Sequence, residues 1–176
     1  MKKYLVAGAL LASMGGAFAQ GYAGALIGLS HLNVDDCSVE CDDSGTAGKV
    51  YAGGDINRFF GVEVAYIDFG HWSWNGAGDA FKARANAYVA TTVWKWNFAP
   101  RWTGAAKAGF AVVEARIDRD GQGERDTRTA PYFGLGVDYA FARDWRVVGQ
   151  FDLTTYNIGG DKGGMYLLGA GVQKDF

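Results

Sequence analysis

Prolines, cysteines and histidines are scarce in this sequence, with 2 of each in 176 residues. Beyond the N-terminus no stretch is apolar for long enough to span a bilayer as a helix, which takes about 20 such residues. With 19 acidic against 17 basic side chains there is no basic patch to neutralise phosphates, and this excludes nucleic acid as a partner. What the chain has in quantity is glycine, with 27 residues, and aromatics, which make up 15% at a mean hydropathy of only −0.07. Mixed hydropathy with many aromatics suits a sheet with one greasy face and one wet one.

At the N-terminus Lys2 and Lys3 precede an apolar run from Tyr4 to Met14, and the small-residue site Ala17-Phe18-Ala19 follows it before Gln20. This pattern predicts a secretory signal peptide over residues 1–19, cut after Ala19, and one domain over residues 20–176. Removing Lys2 and Lys3 takes the formal net charge from −2 to about −4.

The last segment sets Tyr166, Leu168, Ala170, Val172 and Lys174 on one side of an extended chain, with Phe176 at its end. Gly169, Gly171, Gln173 and Asp175 fall on the other side, because successive side chains of a strand point to opposite faces. Apolar outward and polar or small inward is the alternation of a transmembrane barrel strand. Seven further segments alternate in the same way, and the strands are placed at Gly21–Leu32, Gly48–Asn57, Phe60–Gly70, Lys82–Phe98, Trp102–Ile117, Thr129–Phe141, Trp145–Ile158 and Gly164–Phe176. Tight links fall at Asn57-Arg58-Phe59, Ala99-Pro100-Arg101 and Ala142-Arg143-Asp144. Longer loops are expected over residues 33–47, 71–81, 118–128 and 159–163. The expected fold is all-β, an eight-stranded antiparallel transmembrane barrel with its short turns in the periplasm.

Facing follows from the parity that hides charge from lipid. Ala23, Ala25, Ile27 and Leu29 go out in the first strand; Val62, Val64 and Tyr66 in the third; Tyr88, Trp94, Trp96 and Phe98 in the fourth; Phe110 and Val112 in the fifth; Phe133, Leu135, Val137 and Tyr139 in the sixth; Val147, Phe151 and Leu153 in the seventh. Glu63, Lys107, Asp138, Arg146, Gln150, Asp152 and Gln173 then share one lumen. Charges in so narrow an interior must pair. The expected outcome is an ion-pair network, with Glu63 to Lys107 as its first member, that fills the lumen of an eight-stranded barrel.

The segment NRFFGVEVAYIDFG from Asn57 to Gly70, the YAGALIGLS of the first strand and the terminal Phe176 resemble the OmpA-like transmembrane barrel family of Gram-negative outer membranes. The resemblance covers nearly all of the chain after the signal peptide. It implies a cell outer membrane location, a lumen filled by ion pairs, and a terminal Phe176 that the barrel-assembly machinery reads. By the same resemblance Glu63, Lys107 and Asp138 take the positions of the family's interior charges. Val148 or Gly149 stands where the family's seventh strand usually offers an arginine. Larger members add a periplasmic peptidoglycan-binding domain, and that anchoring role is not expected here.

Other clusters carry less. Cys37 and Cys41 lie in the first long loop, where an oxidising compartment favours a disulfide; Asp36, Glu40, Asp42 and Asp43 would add a metal site only if both thiols stayed reduced. The Asp118-Arg119-Asp120-Gly121-Gln122-Gly123-Glu124 segment lacks the ligand pattern of a calcium loop and reads as solvated charge. Arg116, Arg119, Arg125 and Arg128 could meet lipopolysaccharide phosphates. His71 and Ser73 share a face but lack an orienting carboxylate, and Ser30 and His31 point to opposite faces. The sequence therefore leads to a non-enzymatic, monomeric outer-membrane protein without metal or cofactor, in contact with outer-membrane lipid and lipopolysaccharide, whose extracellular loops meet a partner the sequence does not name. A narrow pore gated by the lumen ion pairs is the alternative, and a lipid A-modifying enzyme a more distant one.

Overall fold

The computed structural model describes residues 20–32, 44–76, 79–119, 122–158 and 161–176. The predicted signal peptide, Cys37 and Cys41 lie outside them. The eight strands are β1 (Gln20–Leu32), β2 (Ser44–Asp55), β3 (Phe60–Gly76), β4 (Asp79–Ala99), β5 (Trp102–Arg119), β6 (Gln122–Ala140), β7 (Trp145–Ile158) and β8 (Asp161–Asp175). Each pairs antiparallel with its neighbour in sequence. β1 also pairs with β8, from Tyr22 opposite Asp175 to Leu32 opposite Met165, and so closes the barrel. Closure gives every strand two hydrogen-bonded neighbours, the condition that hydrocarbon imposes on a sheet.

The expected loops are shorter than the sequence suggested. Residues 71–76 and 79–81 continue β3 and β4, residues 118–119 and 122–128 continue β5 and β6, and residues 161–163 begin β8. β2 likewise starts at Ser44 rather than Gly48 and ends at Asp55. The reason is physical: once a hairpin is anchored in the membrane, its ladder continues into water by backbone pairing alone, so polar residues extend it without the alternation that marks the buried part.

The outward parity holds across the sheet. Ile27, Leu29, Phe110, Leu168 and Phe176 are all more than 60% exposed on the surface that lipid would cover. Near the short turns an aromatic girdle runs through stacked Phe60 and Trp94, then Trp96, Phe98, Trp102 and Tyr139, with ring centroids 4.9 Å apart for Trp102 and Tyr139. Toward the other end Tyr66 and Tyr88 pair at 5.3 Å, and Phe151 stacks on Tyr166 at 6.0 Å. Trp96 and Tyr88 bound an apolar stretch of roughly 26 Å along β4 at about 3.3 Å per residue. Beyond Tyr66 and Tyr88 the next outward row is Asp68 opposite Asn86 and Asn86 opposite Glu114, where the apolar band ends.

At the short-turn end, Asn57 Oδ1 accepts hydrogen bonds from the backbone N–H groups of Phe59 (2.9 Å) and Phe60 (3.0 Å) and fixes the first turn. At the far end β3 carries a bulge between Asp68 and His71, where Gly70 has φ +85°. Asp68 Oδ1 accepts from the Gly70 N–H at 2.9 Å, and a Cβ on Gly70 would run into the Thr46 carbonyl oxygen of β2. A side chain there meets both a left-handed backbone and a neighbouring strand. We expect Gly70→Ala to destabilise the barrel by about 1–3 kcal/mol in urea unfolding, whereas Gly48→Ala, with open space around its Cβ position, should change it by less than about 0.5 kcal/mol.

Candidate functional site

The lumen is where the strands bring charge together. Alternation turns Lys49 and Tyr51 of β2, Glu63 of β3, Lys107 of β5, Tyr132 of β6, and Gln150 and Asp152 of β7 toward the axis, and all are buried. Lys107 Nζ donates to both oxygens of Glu63, at 2.7 and 2.8 Å. Lys49 Nζ donates to Tyr132 Oη, Gln150 Oε1 and Asp152 Oδ2, each at 2.9 Å, and stands 3.7 Å from Glu63 Oε1. Two ammonium groups thus share two carboxylates, with Glu63 between them. Tyr22 Oη donates to Glu63 Oε2 at 3.3 Å.

Tyr51 separates the two lysines. Its ring lies 5.0 Å from Lys107 Nζ and 5.6 Å from Lys49 Nζ, so its π face offsets part of the repulsion between them. The Tyr51 hydroxyl donates to Gln173 Oε1 at 3.2 Å, and Gln173 passes the chain on to Asp175 Oδ1 at 2.8 Å. Asp152 Oδ1 has no hydrogen-bond partner among the described residues. It faces Gly134, where a Cβ would lie 2.7 Å away. Glycine at that position makes room for the carboxylate.

A second, more exposed set lies at the short-turn mouth of the barrel. Arg146 Nε donates to Asp175 Oδ2 at 2.7 Å, and its NH1 donates to Thr103 Oγ1 at 3.3 Å. Lys95 Nζ meets Asp55 Oδ1 at 2.6 Å and lies 4.1 Å over the Tyr22 ring. Asp138 is buried in the same lumen, where Lys107, Arg146 and Lys95 are the cations that act on it. Glu63, Lys107, Asp138, Arg146 and Asp152 therefore all occupy the lumen, but they form two groups: Arg146 belongs to the mouth, while Asp152 belongs to the centre through Lys49. Of Val148 and Gly149, Val148 is the one that points inward, and it is fully buried.

Sequence reasoning missed Lys49, the residue with the most partners. Its signal was present: in the Gly48-Lys49-Val50-Tyr51-Ala52 run the parity that hides Lys49 from lipid also sends Val50 out. Leu26, Ile67, Phe69, Val89, Met165 and Leu167, buried inside beside and beyond the ion pairs, were also missed. They form a dry layer that alternation alone does not announce, because it places apolar residues on both faces.

Of the four arginines expected near the rim of the long loops, Arg116 lies opposite Arg125 in register and Arg119 opposite Phe81 and Gln122, while Arg84 of β4, which the sequence reading did not include, lies opposite Arg116. Arg128 lies opposite the inward Val113 and pairs with Asp126 at 2.9 Å. His71 and Ser73 stand in register with Arg84 and Lys82. Among the described residues no group of His, Cys, Asp and Glu could hold a metal.

A closed eight-stranded barrel with a polar, self-paired interior and an aromatic-bounded apolar exterior is the architecture of a small outer-membrane protein. The sequence matches the model of the outer membrane protein beta-barrel domain family over residues 4–173, and the chain belongs to that family. Membership implies an outer-membrane location. Among solved structures the fold is similar to Neisserial surface protein A (TM-score 0.68, 16% identity, covering 89% of this chain and 97% of that one). It is also similar to the N-terminal barrel domain of Pseudomonas aeruginosa OprF (0.63, 12%, 90% and 98%) and to Ail of Yersinia pestis (0.59, 14%, 89% and 99%). No curated protein matches the sequence.

Removing one partner of a buried pair leaves an uncompensated charge. Lys49→Met should therefore cost about 3–5 kcal/mol of stability in lipid vesicles, while Lys95→Met, at the more exposed mouth, should cost about 1 kcal/mol or less.

Proposed function

We propose that this chain is a non-enzymatic outer-membrane protein with a structural and surface-directed role, exercised by the part of the barrel that stands above the membrane. The observation that carries this reading is strand length. A membrane-spanning strand needs about 9–11 residues, yet β3, β4, β5 and β6 have 17, 21, 18 and 19. They continue past the Tyr66–Tyr88 level as a four-stranded wall, while β1, β2, β7 and β8 have 12 to 15 residues.

The partner of that wall is anionic. Arg84, Arg116 and Arg125 hold successive register positions on three adjacent strands, a concentration of like charge that attracts an anion, with Asp68 and Glu114 in the outward row below it. The row stands two outward rows above the upper tyrosines, beyond Asn86 and Glu114, on the side of the outer-leaflet head groups. Phosphates of lipopolysaccharide suit it, as arginine pairs readily with phosphate. Ail of Yersinia pestis has been crystallised with the heparin analogue sucrose octasulfate, which makes that compound a suitable first soluble probe.

A pore is less well supported. Any ion path through the centre would have to part the Lys49 and Lys107 pairs and then cross the dry layer of Leu26, Ile67, Phe69 and Leu167. Nothing beyond the register positions of His71 and Ser73 speaks for lipid chemistry.

A peptide tag inserted between Gly76 and Asp79 should be reached by antibody on intact cells, and purified protein in planar bilayers should show no steady conductance. Replacing Arg84 by Gln should weaken retention on immobilised lipopolysaccharide by about fivefold without changing heat-modifiable gel mobility. A tag reached only after the envelope is permeabilised, or retention independent of Arg84, would contradict the reading.

A further inference from the structure

Among the described residues the lipid-facing surface carries a depression that has a direction. Ala106 and Ala108 form the floor of a groove of about 540 Å³, between taller aromatic and leucine side chains. Phe60, Trp94, Ala106, Leu135 and Phe151 are successive register partners from β3 to β7. Strands in a barrel tilt, so a row of partners climbs the wall. Phe60 opens β3 at the periplasmic girdle, whereas Phe151 lies well inside β7, past Trp145 and Val147 on the same face. The groove therefore runs from the periplasmic edge toward mid-bilayer. Four strand spacings give it a length of roughly 19 Å, against about 15 Å for half of a hydrocarbon core.

A cation sits at its lower end. Arg58 is exposed on the turn that leads into Phe60, with its guanidinium 4.5 Å over the Phe59 ring. The carboxylate nearest in sequence, Asp55, is taken by Lys95 at 2.6 Å. The other periplasmic turns repeat the pattern, with exposed Arg101 before Trp102 and exposed Arg143 between Phe141 and Trp145. Tight turns hold these guanidinium groups at the level of the aromatic girdle, where phospholipid phosphates lie.

We propose that the groove binds an anionic phospholipid of the periplasm-facing leaflet, with an acyl chain over Ala106 and Ala108 and its phosphate held by Arg58. The apolar floor accounts for the chain and the arginine for the charge preference. Lipid phosphate is a natural partner for a guanidinium that no carboxylate competes for.

Native mass spectrometry of the refolded barrel in detergent, incubated with phosphatidylglycerol or phosphatidylcholine, tests this. The wild-type barrel should retain one phosphatidylglycerol in preference to phosphatidylcholine. Arg58→Gln should reduce phosphatidylglycerol retention about fivefold and leave phosphatidylcholine unchanged, while Ala106→Phe, which fills the floor, should reduce both. Arg58 is exposed on a turn, so its variant remains measurable even if Ala106→Phe fails to fold. Equal retention of the two lipids by wild type and Arg58→Gln would overturn the proposal. So would a lipid-free species of twice the chain mass, which would assign the groove to a second copy.

Discussion

Hydrocarbon gives a backbone amide nothing to bond with, and the rest of this structure follows from that constraint. The sheet has to close, and with eight strands it closes around an interior no wider than the side chains that fill it. Every charge that alternation sends inward is then cut off from water and must be cancelled by another strand's charge. Glu63 of β3 meets Lys107 of β5 past the intervening β4, and Asp152 of β7 meets Lys49 of β2 through the lumen, rather than along a strand. These pairs tie together strands that do not touch through the backbone, so the barrel is held both around its circumference and through its interior.

The interior is graded along the axis. Partly exposed pairs, Lys95 with Asp55 and Arg146 with Asp175, guard the short-turn mouth, and the fully buried network occupies the centre. Leu26, Ile67, Phe69, Val89 and Leu167 pack in the interior beside and beyond that network. An apolar layer next to buried charges lowers the local dielectric and strengthens the attraction of each pair, while raising the penalty for any charge left alone. Such an interior favours a rigid scaffold, and a rigid scaffold is what loops and projecting strands need in order to present residues outside.

Much of this was legible in the sequence because alternation is rigid. Placing Val62, Val64 and Tyr66 in lipid obliges Glu63 to face in, and placing Phe133 and Leu135 out obliges Asp138 to do the same. The terminal segment gave up its facing equally readily, with Leu168 and Val172 out and Gln173 in. Legibility failed where the physics is not local. Lys49 sits on a short strand between glycine and valine, so its importance emerges only when three other strands converge on it. The polar ends of β3 to β6 read as loops because backbone pairing, not side-chain pattern, extends them. Arg146 reads from sequence as a member of the central network, but its height in the barrel, set by register with Gln173, puts it at the mouth beside Asp175.

Pairing of buried charge between strands that are not neighbours is tested most directly by a double-mutant cycle on Glu63 and Lys107. Unfolding free energies of wild type, Glu63→Gln, Lys107→Met and the double variant would be measured in lipid vesicles. Coupling of about 1–3 kcal/mol is predicted, with the double variant less destabilised than the two singles together. Single effects that add to within about 0.5 kcal/mol would contradict it, and would mean that the backbone ladder alone holds the barrel.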